Sequence, residues 1–295
     1  MSRIRKAKAE DKNRLKEMYM DIFDDMPAFV DYYFENRIDY ERILVTEDTD
    51  GRIVAMLSRN EKFLSYNGKK IRADYIYAVA VEADQRGKGI AKALVNEALR
   101  LAEEEEPKSD IVYLIPVNEK IYRGNGFVTV RDEDWEEFEL NPETICADGT
   151  EFFSITSCDE DLSVKLSDFA KEFEKQHYRE NYLCTYRDER YFKRMAEQMK
   201  AEAGYIALIK KDDKILGFAF VNGESNTCIE DYMCEESYKT CLFSTIADRG
   251  NAGCLKMKRH RLMVKIINQE IFGTKNWNET EKPVAISNIY INEEV

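Results

Sequence analysis

The chain has 295 residues, with 44 basic and 57 acidic side chains, a formal net charge of -13 and 44% hydrophobic residues. This length suits two domains better than one, and the apolar fraction is enough for real cores. The acidity argues against nucleic acid as a partner, because it repels phosphate backbones; it either serves solubility alone or steers cations. No apolar run of ~18 residues is present, so no membrane span is expected. Residues 1–14 hold no apolar stretch, so no secretory leader is expected either. The seven cysteines, Cys146, Cys158, Cys184, Cys228, Cys234, Cys241 and Cys254, all follow residue 145. Their odd number and the lack of a CxxC pair predict reduced thiols in a cytoplasmic protein, with neither a disulfide framework nor a metal site.

A short strand is predicted over residues 4–8, then a helix from about residue 11. Leu15, Met18, Tyr19 and Ile22 form one apolar stripe on it. Asp24-Asp25-Met26-Pro27 breaks that helix, and an aromatic-rich second helix covers residues 29–36. Residues 42–58 read as a hairpin around the turn cluster Asp48-Thr49-Asp50-Gly51. A small strand at 62–66 turns at Asn67-Gly68, and the apolar run 75–81 suits a buried strand. A glycine loop at 86–91 leads into a helix reaching about residue 104, with Ile90, Leu94, Ala98 and Leu101 on its buried side. A strand at 110–115, a short helix at 119–123 and one long acidic strand-like segment at 127–140 complete a mixed sheet with helices packed on it.

Residues 141–151 are rich in turn formers and read as the boundary. Beyond them, residues 205–221 mirror the first hairpin, after helical stretches at 162–176 and 189–203. A strand at 227–234 and a helix at 237–247 follow, but Glu235-Glu236 stands where the first half has its glycine loop. The expected fold is α/β with a mixed α+β sheet, built twice in tandem, the second copy degenerate. The expected divisions are 1–140, 150–261 and a short segment 262–295.

The chemical signal is densest in residues 75–94. A buried strand runs into Arg86-Gly87-Lys88-Gly89-Ile90-Ala91 and then a helix. Glycines permit a tight turn and close approach of a ligand, while the helix start contributes unpaired N–H groups and partial positive charge. Together they form an anion cradle. The patterns GxxxxGK[ST] and GxGxxG are both absent. Residues 121–127, IYRGNGF, place Tyr122 four residues before Gly126-Phe127. Both segments resemble motifs of the GNAT family of N-acetyltransferases: R/Q-x-x-G-x-G/A at Arg86-x-x-Gly89-x-Ala91, and Y-x-x-x-G-F at Tyr122. The resemblance implies acetyl-CoA as co-substrate, with its pyrophosphate on main-chain N–H groups from Gly87 to Ala91. It implies pantetheine contacts to the main chain of Val79 and Val81, and a carbonyl-polarising N–H near Val79, Ala80 and Val81. It also implies that Tyr122 is the general acid for the leaving thiolate. A phenol of pKa ~10 stays protonated at neutral pH, and a thiolate of pKa ~8.5 leaves better when protonated. Asn118 matches a cofactor-contacting asparagine of the family or serves as a turn or cap.

For the acceptor, Asp24, Asp25, Phe29 and Tyr33 cluster at the helix break. Acidic and aromatic groups there suit a cationic amine, or they mark a solvated helix end. Only His177 and His260 exist, both outside the first half, so a histidine-based nucleophilic site is not expected. The layout resembles the enhanced-intracellular-survival (Eis) type of GNAT protein, in which a catalytic domain, a degenerate one and a sterol-carrier-like domain follow each other. Residues 262–295 would correspond to a pared-down remnant of the last, which leaves the oligomeric state open. By that resemblance the terminal carboxylate of Val295 is expected near Tyr122, or else water or Glu82 takes the amine's proton. A non-catalytic acyl-CoA sensor or partner-binding protein is the alternative function.

Overall fold

The computed structural model describes residues 3–138, 140, 146, 149–223, 228–250, 253–273, 286 and 288–291. In chain order the elements are β1 (Arg3–Lys6), α1 (Lys12–Ile22), α2 (Pro27–Tyr32, prolonged by a π-type turn Tyr33–Arg37), β2 (Ile43–Glu47), β3 (Ile53–Tyr66), β4 (Lys69–Val81), α3 (Ile90–Glu104), β5 (Ile111–Leu114), α4 (Lys120–Arg123), β6 (Val128–Arg131), β7 (Asp134–Phe138), β8 (Thr150–Ile155), α5 (Glu160–His177), β9 (Tyr182–Thr185), α6 (Glu189–Ala201), β10 (Tyr205–Lys211), β11 (Lys214–Val221), β12 (Cys228–Cys234), α7 (Glu236–Gly250), β13 (Leu255–Arg259), β14 (Leu262–Ile266) and β15 (Asn288–Tyr290). The fold is mixed α/β with two sheets, as its strand and helix pattern predicts.

Among the described residues the first sheet runs β1-β2-β3-β4-β5-β14-β6, with β9 paired to the far end of β3 and β15 to β9. The second runs β7-β13-β12-β11-β10-β8. Each sheet has a parallel pair joined through a single helix, β4 to β5 across α3 and β12 to β13 across α7, and the first sheet also pairs β15 with β9 in parallel. The predicted segment 127–140 is therefore two strands in two different sheets. β6 stays in the first sheet, while β7 crosses to pair with β13. In return β14, from the far end of the chain, is inserted between β5 and β6. Sheet membership thus runs across the divisions at 140 and 262, because strand pairing at long range leaves no mark in local turn composition.

Alternation along β2 shows how the first sheet is covered. Leu44 joins the apolar cluster under α3, whereas Ile43 and Val45 join the one under α1 and α2. From α3, Leu94, Val95, Ala98, Leu99, Leu101 and Ala102 are all buried, each large side chain contributing about 1.5–3 kcal/mol. A polar knot sits inside this sheet. Arg59, fully buried, donates from Nε to Asp74 at 2.9 Å and from Nη1 to Glu105 at 2.9 Å. Ser109 Oγ donates to Asp74 at 2.7 Å, and Arg42 also pairs with Asp74. The knot fastens β3, β4 and the end of α3 to one another.

The expectation of uniformly reduced thiols is corrected at one pair. Cys146 and Cys241 form a disulfide that ties the segment after the first domain to α7. Their separation of 95 residues explains why spacing motifs did not show it. No helix among the described residues is long and apolar enough to cross a membrane.

Candidate active site

The site grows out of an irregularity in β4. Along β3, Met56 faces Ala80 while Ser58 faces Tyr77, so β4 carries one residue more than its partner over that stretch. Ala78 absorbs the bulge with φ of 50°, a left-handed conformation costly for a residue with a side chain. On its other edge β4 pairs with β5 only from Ala73 to Tyr75. β5 ends one residue later, at Leu114, so Val79, Ala80 and Val81 have no partner on β5. Val79 and Val81 lean onto the α3 cluster, while Tyr77, before the bulge, packs toward α1 and α2.

β4 ends at the glycine loop. Gly87 and Gly89 have φ of 77° and 79°, and a Cβ on either would meet no atom within 4 Å. The glycines are there for conformation and for the open space before them. Gly89 caps α3, whose first main-chain bond runs from Ala93 N–H to the Gly89 carbonyl. The N–H groups ahead of it are left without main-chain partners, and no acidic residue stands in the first turn of α3. That is the donor set a pyrophosphate requires. Arg86 folds back, its Nε donating to the Val81 carbonyl at 3.0 Å, and Lys88 Nζ donates to Gln85 at 2.9 Å. The Ile90 side chain is core, so only its backbone is offered, and Ala91 follows in the first helical turn.

Tyr122 lies in the same apolar cluster as Val79, Val81, Ile90 and Leu94. Gly126, with φ of 83°, reverses the chain after α4, so that Phe127 meets Tyr122 edge to face at 6.2 Å between ring centroids. Asn125, buried, donates to Asn96 at 2.6 Å and to the Lys92 carbonyl at 3.3 Å, anchoring the turn on α3. Lys265 of β14 donates to the Asn125 carbonyl at 3.0 Å. The Tyr122 hydroxyl is pushed up to about 12 by burial alone, with no hydrogen bond or charge contributing. Asn118 is exposed and its Oδ1 accepts from Lys120 N–H at 3.1 Å, at the start of α4.

On the α2 side, a cavity of about 280 Å³ is lined by Asp24, Asp25, Phe29 and Tyr77 together with Trp135, Glu202, Glu230, Lys258 and His260. Three of the four acceptor residues read from sequence are therefore brought together. Tyr33 is the exception and is corrected to a core residue. It is 1% exposed, with its hydroxyl bonded to Ser58 at 3.0 Å and Asn60 at 3.3 Å. Asp25 accepts from the Tyr19 hydroxyl, which is in turn bonded to the Tyr77 hydroxyl. Burial pushes both phenols up, so they remain protonated donors. Burial, then the nearby Lys258 and Arg131, lowers His260 to about 4, which keeps its imidazole neutral. Four carboxylates thus face one lysine. Sequence reasoning missed Trp135, Glu202, Glu230 and His260, which come from β7, the turn after α6, β12 and the turn after β13 and carry no local motif. Val295 lies outside the described residues.

Comparison with known proteins bears on this geometry. Residues 3–130 match the family model for the acetyltransferase (GNAT) domain. The matched span contains the bulge, the glycine loop and Tyr122. Solved structures extend the likeness of fold over most of the chain. The GCN5-related N-acetyltransferase from Anabaena variabilis is 17% identical with a TM-score of 0.69, over 91% of this chain and 74% of that one. The Kribbella flavida GCN5-related N-acetyltransferase is 14% identical with a TM-score of 0.72, over 92% and 72%. Eis1 from Mycobacterium abscessus is 11% identical with a TM-score of 0.60, over 92% and 75%. Among curated proteins none matches significantly.

Proposed function

We propose that this protein is an N-acetyltransferase that moves an acetyl group from acetyl-CoA to a primary amine of a small cationic molecule or peptide. The observation that carries the reading is the pairing of two features across the β4 bulge. On one side stand the glycine loop and Tyr122; on the other is a cavity with four carboxylates and one lysine. Glycines with open space before them and unpaired N–H groups at a helix start fit a pyrophosphate. Acetyl-CoA, when bound, supplies the thioester whose acetyl group is transferred.

In this reading the N–H groups from Gly87 to Ala91 hold the diphosphate. The main chain of Val79, Ala80 and Val81 aligns the pantetheine arm, and one N–H there polarises the acetyl oxygen. Asp24, Asp25, Glu202 and Glu230 attract the ammonium and orient it, Phe29 and Tyr77 flank it, and water takes its proton so that the free amine bonds to the acetyl carbon as the carbon–sulfur bond breaks. A neutral His260 keeps a second positive charge out of a cavity that already holds Lys258. Tyr122 Oη then holds the proton for the departing sulfur. Burial raises thiols as it raises this phenol, the direction the transfer needs. Holding both reactants in one place supplies much of the rate.

The second half fits a degenerate copy. β10, β11, β12, α7 and β13 repeat the order of β2, β3, β4, α3 and β5, yet Glu235 replaces the glycine loop. Thiol release from acetyl-CoA with a panel of polyamines, aminoglycosides and lysine peptides tests the proposal. Turnover with at least one amine is expected. Tight acetyl-CoA binding without turnover on any of them would favour a non-catalytic sensor.

A further inference from the structure

A second cavity, of about 530 Å³, is not the one assigned to the acceptor and shares none of its lining residues. It lies where α2 and its π-type turn meet α6, above the outer part of β3. Eight basic side chains line it against four acidic ones, in a chain whose net charge is -13. Several of the basic groups are already spent: Arg59 and Arg42 on Asp74, Lys70 on Asp188 and Lys193 on Glu160. Arg37, Arg190 and Arg194 are different. Among the described residues none of the three has a carboxylate within ion-pair distance. The Nε–H groups of Arg37 and Arg194 are buried without a hydrogen-bond partner. Burial and the adjacent charges of Arg194 and Arg190 lower Arg37 to about 10, and no carboxylate counters them.

Like charges gathered at a partly buried place cost stability, and guanidinium donors removed from water cost more if they stay unmade. A fold that keeps two such groups together, beside the exposed Arg190, has a use for an anion there. The volume falls in the range of sites for metabolite-sized ligands, and planar guanidinium forks suit phosphate oxygens. Tyr32, Tyr186 and Tyr191 add aromatic wall.

We propose that the cavity between α2 and α6 is a binding site for a phosphate-bearing metabolite, gripped by Arg37, Arg190 and Arg194. It is separate from the glycine loop and does not depend on the acetyltransferase reading.

Calorimetry with inorganic pyrophosphate tests this on the full chain. The glycine loop would also take pyrophosphate, so the titration is run in the Gly89→Glu variant, with citrate as a carboxylate control at matched ionic strength. One saturable equivalent of pyrophosphate is expected, with citrate clearly weaker. Adding Arg37→Gln and Arg194→Gln should weaken pyrophosphate by about tenfold or more. Thermal melting guards against a folding artefact. Without ligand these substitutions relieve like-charge repulsion, so the melting temperature should hold or rise, and its increase with pyrophosphate should vanish. No saturation by about 10 mM, or equal binding after both substitutions, would overturn the site. Citrate binding as tightly as pyrophosphate would overturn the assignment to phosphate.

Discussion

Tyr122→Phe removes one oxygen from the place where the reaction is proposed to need a proton. With the hydroxyl at about 12, only about one molecule in 30,000 has lost that proton at pH 7.5, so the wild-type acid is loaded at any working pH. Its loss should lower kcat by about 10²-fold, or ~2.7 kcal/mol of barrier. The structure also states what should not change. The hydroxyl forms no hydrogen bond that contributes to its shift, while the ring packs on Phe127 and the α3 cluster. The variant should therefore fold within ~1 kcal/mol of wild type and bind acetyl-CoA with unchanged affinity. Single-turnover thiol release, urea unfolding and calorimetry on the same samples separate these effects. The pH profile gives a further check. Activity carried by the protonated phenol is lost only as pH rises through about 12, so any alkaline fall between pH 8 and 10 must belong to another group and persist in the variant. Wild-type turnover in Tyr122→Phe would refute the assignment, and so would a loss of turnover matched by a loss of folding.

Gly89→Glu should abolish acetyl-CoA binding by calorimetry at a folding cost of only about 1–2 kcal/mol for the left-handed residue, because a Cβ there meets open space. Asp74→Ala should destabilise the chain by about 3–5 kcal/mol in urea unfolding, since it strands the buried Arg59; a loss below ~1 kcal/mol would contradict the knot. Acetyl-CoA should titrate to one equivalent per chain, and two would show that the second half binds it as well. His260 is held neutral in the fold. Its contribution to stability is full above pH 6.5 and lost as pH falls through about 4, and His260→Gln should flatten that acid limb.

What the sequence made legible was local. Arg86 to Ala91 and Tyr122 to Phe127 encode backbone turns within six residues, and the glycines at positive φ are where the pattern needs them. The acceptor side was half legible. Asp24 and Asp25 show themselves by breaking a helix, but aromatic clustering cannot tell Phe29, which lines the cavity, from Tyr33 beneath it. Periodicity gives a face, not a depth. Glu202, Glu230 and His260 reach the cavity from elements far along the chain, and the Cys146–Cys241 pair closes over a similar distance. Nothing near any of these residues announces its partner.

The exchange of β7 and β14 between the sheets bears on how this chain can be made. At ~5–20 residues per second, synthesis from Arg131 to Leu262 takes on the order of 10 s. Throughout that interval the first part of the chain exposes the facing edges of β5 and β6, between which β14 belongs. Unfilled edges recruit stray strands, so the nascent first half is the stage at which a chaperone matters most. The same logic predicts that a chain stopped at residue 261 aggregates despite carrying every proposed catalytic group of the first domain, and that a synthetic peptide of residues 262–266 with flanking sequence, supplied in trans, restores its solubility.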